Sequence, residues 1–162
     1  CEPKQSIDQA LVEDVVAGWQ GKTVWQITDA IVAGDAAEAL RHLDKLLGGG
    51  QRPIALLPQI AWSLRRLGMA TSVFEHYERS GRNSQLEDAL AYAGFNRGPS
   101  DIQKAKKQLS RMGRDAARQL LPWLLDADLR LKGTHSNEPR DRFLLENLVI
   151  RLAKDATQKQ AS

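Results

Sequence analysis

Cysteine is nearly absent: Cys1 is the only one in 162 residues, so no disulfide can close within the chain, which fits a reducing cytosol. Long apolar runs are missing too. The best candidates, such as residues 120–125, fall far short of the about 20 residues a membrane-spanning helix needs, so no membrane partner is expected. The first ten residues, CEPKQSIDQA, hold no apolar segment of the kind a secretory signal carries. Nor do they start with Met, and the chain reads as a piece of a longer protein cut upstream of residue 1.

The parts of a catalytic centre are also wanting. Such a centre needs a nucleophile with a base, a metal cluster or a phosphate cradle. No GxxxxGK[ST] stretch occurs; the triglycine at 48–50 follows a helical pattern and reads as a helix stop. His42, His76 and His135 fall in separate segments with no carboxylate or cysteine at ligand spacing, and read as solvated surface imidazoles. Asp126 and Asp128 stand two apart, so on a helix they point in different directions. No catalytic residue, metal or cofactor is expected. Strands are not signalled either, because no sustained apolar/polar alternation is bounded by turn residues.

What is present is helical periodicity, in a chain whose 42% hydrophobic content can supply the core of one domain. Val24, Ile27, Thr28 and Ile31 fall on one helical face. Gly34 suits a stop, and Asp35 an N-cap with Glu38 three residues on, as in a capping box. Ala36, Ala39, Leu40, Leu43, Leu46 and Leu47 then share a face, with Glu38, Arg41, Asp44 and Lys45 toward water. Pro53 opens a third helix whose buried face is Ile54, Leu57, Ile60, Ala61, Leu64 and Leu67, bent at Pro58 and broken at residues 80–83. A short helix around 85–92 follows. Ser100 with Gln103 reads as a second capping box, starting a helix to about Met112. Another helix spans 115–132, carrying Leu120, Leu121, Leu124 and Leu131 inward, with a kink at Pro122. After a polar loop at 134–138, Pro139 leads into a last helix bearing Phe143, Leu144, Leu145, Leu148, Val149 and Leu152. The expected fold is all-α: a compact bundle of five to six helices over residues 23–155, with a frayed tail at 156–162. Ile7, Leu11, Val12, Val15 and Val16 mark a separate short helix, and 18–22 a hinge, so 1–22 reads as the end of a preceding domain.

Two charged features rise above this background. Lys104, Lys106, Lys107, Arg111, Arg114 and Arg118 form a basic stretch balanced only by Asp101 and Asp115. It is either a solvated face or a contact for phosphate or an acidic partner; no aromatic residue interleaves, so base stacking is not suggested. The net charge of +3 permits such a partner without requiring one. Asp128 falls inside the apolar stripe with Lys132 one turn on, a pair expected to hold helices in register or complete an interface. Trp19, Trp25, Trp62 and Trp123 are candidate core or interface anchors.

Three stretches carry a resemblance. VWQITDAIVAGDAAEALRHLDKLL (24–47), PIALLPQIAWSLRRL (53–67), and LLDADLRLKG (124–133) followed by LLENLVIRLA (144–153) resemble, in order and spacing, the C-terminal part of the delta subunit of bacterial DNA polymerase III, a clamp-loader family. The likeness runs from Val24 to Ala153 and is loose over 68–96. It implies a cytoplasmic replication protein whose helical collar packs beside the collars of other loader subunits, with 1–22 as the end of a lid domain. It also implies that the sliding clamp and primed DNA are met by an N-terminal module absent from this sequence. The expected function is non-catalytic oligomerisation. The rival is a free-standing nucleic-acid-binding helical module using residues 101–118.

Overall fold

The computed structural model describes residues 22–158 apart from 84, 96–97 and 134–136, and every described element is a helix. In chain order these are α1 (22–33), α2 (Ala36–Gly48), α3 (Pro53–Arg79), α4 (Leu86–Tyr92), α5 (Pro99–Met112), α6 (Arg114–Leu131) and α7 (Glu138–Gln158). The fold is thus all-α as expected, with seven helices in place of five to six. Trp19, His135 and the short helix expected around Ile7 to Val16 lie outside the described residues, while Lys22, assigned to a hinge, is already helical.

The long α3 is the axle of the bundle; α6, α4 and α7 all pack against it. Its buried line is Leu56, Leu57, Ile60, Ala61, Leu64 and Leu67. Pro53 opens it with no N–H to satisfy, and the helix continues past Pro58 to Arg79. Ile54, expected inside, is exposed. The reason is phase: the stripe is centred on Leu57, Ile60, Leu64 and Leu67, and Ile54 falls outside it. α6 crosses α3 at Gly68, where an added Cβ would stand 3.1 Å from Leu121 Cγ and 3.3 Å from Leu120 Cβ. A helical glycine costs about 1 kcal/mol against alanine, and here the missing side chain lets two helices close up.

α2 follows the sequence reading at its start, where Asp35 accepts the Glu38 N–H at 2.9 Å. The box is only half made, because the Glu38 carboxylate turns instead to Arg41 and to His42 Nε2 at 2.8 Å. Hydrogen bonding to Arg41 holds that carboxyl below the usual carboxylate range. His42 corrects the expectation of a surface imidazole: it is buried, since Ala39, His42, Leu43 and Leu46 recur at i, i+3, i+4 and i+7.

Two further corrections concern boundaries. α5 starts at Pro99 with Gly98 as its cap residue, so Ser100 lies inside the first turn and makes no capping box. At the other end α7 reaches Gln158 and buries Ala156, where a frayed tail was expected. Thr157 Oγ1 donates to the Gly34 carbonyl at 3.0 Å, and Arg142 pairs with Asp44, so α7 is laced along the α1–α2 corner. α7 buries Leu145, Leu148, Val149 and Leu152 as expected, but Phe143 stands 64% exposed.

One side chain organises a whole corner. Arg66 leaves α3 to donate from Nε to the Ala93 carbonyl at 3.3 Å and from Nη2 to the Gly94 carbonyl. These are end-of-helix acceptors that α4 cannot satisfy by itself. The same guanidinium lies 3.9 Å from the Phe95 ring centroid and 4.6 Å from that of Trp62, and meets the Asp101 carboxylate of α5 at 3.7 Å.

Candidate interaction surface

The six cations of the basic stretch do not share one helix. Gly113, at φ 79°, ends α5 and opens α6, leaving Lys104, Lys106, Lys107 and Arg111 on the first and Arg114 and Arg118 on the second. Four of the six are held by carboxylates of other segments. Lys104 meets Asp29 of α1 at 3.4 Å, and Lys106 meets Glu87 of α4. Arg114 makes a two-pronged pair with Glu78 of α3 at 2.9 and 3.1 Å. Arg118 pairs with the buried Glu75 of α3 and with Asp115 at 3.2 Å. Only Lys107 and Arg111 are exposed and without a carboxylate partner among the described residues. The stretch works chiefly as a set of ties from α5 and α6 to α1, α3 and α4. The contiguous positive face that a phosphate backbone needs is mostly neutralised.

Asp128 and Lys132 do form their pair, at 2.9 Å. Their setting is wetter than a buried stripe, with Asp128 at 20% exposure and Lys132 at 61%. A solvated pair contributes well under what a buried one does. Asp128→Ala is therefore expected to lower stability by no more than about 1 kcal/mol in urea denaturation. A loss near 3 kcal/mol would mean that the carboxylate supports the helix contact more directly.

Apolar side chains left in solvent are a stronger signal than these charges. On α3, Ile54, Pro58, Trp62 and Met69 recur at i, i+4, i+8 and i+15, and all are exposed. On α6, Leu125 and Leu129 lie 58% and 64% exposed. They fall seven and eleven residues after Arg118, whose guanidinium reaches Glu75 on α3, so they emerge along the α3–α6 seam. Trp25 of α1 extends the surface by meeting Trp62 edge-on, with ring centroids 6.0 Å apart and planes at 87°. Of the other tryptophans, Trp123 is partly buried beneath the Arg151 guanidinium, 4.1 Å from the ring centroid. Periodicity marked the buried faces of α3 and α6, and the same wheels could have marked this outer stripe.

Among the described residues no group of three or more His, Cys, Asp or Glu side chains could hold a metal ion, and no helix is long and apolar enough to cross a membrane. The family model for the DNA polymerase III delta subunit, C-terminal domain, matches residues 21–152. The chain belongs to that family. No curated protein and no solved structure matches it. Family membership ties this delta C-terminal domain to the replication machinery. Its matched span begins with α1 and ends within α7, so both the seam face and the paired cations lie inside it.

Proposed function

We propose that this delta C-terminal domain is a collar: a non-catalytic element that assembles a cytoplasmic clamp loader by packing against the helical domains of the other loader subunits. The observation that carries the reading is the solvent-facing apolar surface on α3 and α6, with Trp62 near its middle. Protein interfaces of standard size are built around such aromatic and aliphatic anchors, with charge confined to the rim. The DNA and the sliding clamp are then met by other parts of the assembly, and the residues before α1 are the end of a preceding lid.

The test mixes this chain with the ATPase subunits of the loader and follows complex formation by sedimentation velocity. The wild-type complex is expected to persist at 0.5 M salt, about the level at which purely electrostatic association fails. Trp62→Glu with Leu125→Glu is expected to weaken it by about a hundredfold or more, since hot-spot losses reach 2 kcal/mol and above. Both residues are exposed, so the variant should remain folded, its thermal melt lowered only by the loss of the Trp62 contacts with Trp25 and Arg66. Undiminished association of the doubly substituted chain would overturn the proposal.

The rival nucleic-acid reading keeps two unpaired cations, Lys107 and Arg111. Any DNA binding they support should show a log–log salt slope of only about −2. Lys107→Glu with Arg111→Glu should remove it and leave loader association intact.

A further inference from the structure

On another side of α3 the helices leave an open hollow of about 470 Å³, lined by α3, α4, α5 and the first residue of α6. Nine residues separate Trp62 from Thr71, which at about 100° per residue puts Thr71 half a turn away from the apolar seam. The two surfaces can therefore be occupied together. Phe74, Leu86 and Leu109 form the apolar part of the hollow, and Lys106, Lys107 and Arg114 its charged rim. No carboxylate among the described residues lines it. The Arg114 guanidinium lies 5.5 Å from the Phe74 ring centroid, so a cation stands beside the apolar floor.

We propose that this hollow binds a short segment of another protein in which one or two apolar side chains stand next to a carboxylate. The volume lies in the range of sites that enclose a small ligand group, and the mix of an apolar floor with a few polar groups is typical of them. The charge balance narrows the ligand. Lys106 and Arg114 already carry carboxylate partners in Glu87 and Glu78, whereas Lys107 has none among the described residues. The rim therefore offers roughly one uncompensated positive charge. That suits a single side-chain carboxylate and is too little for a polyphosphate chain. Most of the rest of the lining is hydrocarbon, with Thr71, Gln103 and Ser110 adding polar groups; a peptide anchor fills such a surface and a sugar–phosphate backbone does not.

The test uses the isotopically labelled chain and three synthetic probes read by amide chemical shifts. The first is acetyl-Gly-Asp-Leu-Phe-Gly-Ser-amide. The second replaces its Asp by Asn, and the third replaces its Leu and Phe by Ser. Saturable shifts clustered on the amides around Phe74, Leu86 and Leu109 are expected with the first probe, binding about tenfold weaker with the second, and none with the third. Ser110→Trp, at an exposed position on the edge of the hollow, should block the first probe without changing the thermal melt. Lys107→Glu should reduce binding of the Asp probe to the level of the Asn probe. The proposal is overturned by shifts that fail to saturate, that are equal for all three probes, or that gather around Trp62. It is equally overturned if a single-stranded oligonucleotide displaces the first probe from the same amides. None of these outcomes bears on loader assembly, which is read on the α3–α6 face.

Discussion

Arg66→Ala is expected to lower the unfolding free energy by about 3 kcal/mol, measured by urea denaturation. Three kinds of partner lose the guanidinium at once. The Ala93 and Gly94 carbonyls at the end of α4 lose a charged donor, the Phe95 and Trp62 rings lose a cation over their faces, and Asp101 loses its ion-pair partner. A hydrogen bond to a charged group contributes about 1.5–3 kcal/mol and a cation over an aromatic ring about 0.5–1. These contributions share one side chain and do not add in full. Arg66→Lys keeps the charge but cannot reach two carbonyls and two rings from one planar group, so it should recover less than half of the loss. A change below 1 kcal/mol for the alanine variant would show that water serves the α4 carbonyls equally well.

Gly34→Ala should cost about 2–3 kcal/mol, for two separable reasons. Gly34 sits at φ 77°, where an L side chain is disfavoured by about 1–2 kcal/mol. Its added methyl would also stand 2.2 Å from Thr157 Oγ1, which has to move and surrender its hydrogen bonds to the Gly34 and Ala153 carbonyls. Gly50 supplies the control. It has φ 88° but nothing within 4 Å of a built Cβ, so Gly50→Ala should show only the backbone part. Equal losses at the two glycines in thermal unfolding would remove Thr157 from the explanation.

Period and punctuation made most of the helices legible in the sequence. At some positions two local signals compete. Pro99 and Ser100 both suit a helix start, and the ring of Pro99, already set near helical φ, takes the first position. Residue type points His42 toward solvent, whereas its phase with Ala39 and Leu46 puts it among the buried positions. Phe143 belongs to the apolar series of α7, but it lies two residues before Leu145 and so falls on a different, exposed side of the helix. The basic stretch failed for another reason. Its meaning depends on Asp29, which lies 75 residues from Lys104, and on Glu78, which lies 36 residues from Arg114. Local spacing carries no trace of pairings that exist only after the helices pack. The outer stripes of α3 and α6 are each visible on a helical wheel, but they become one surface only when the helices are side by side.

The Thr157–Gly34 contact joins residues 123 positions apart in the chain. α7 lies against α2 as well as α6, and Ala156 of α7 shares one core with Ile27 and Ile31 of α1. During synthesis, α1 and α2 therefore leave the ribosome long before the helix that covers them exists. Until residues near Thr157 emerge, their apolar sides must be shielded by α3 or by a chaperone. At about 5–20 residues per second, that interval lasts on the order of ten seconds. Premature termination inside α7 would then release an aggregation-prone chain rather than a slightly shorter domain.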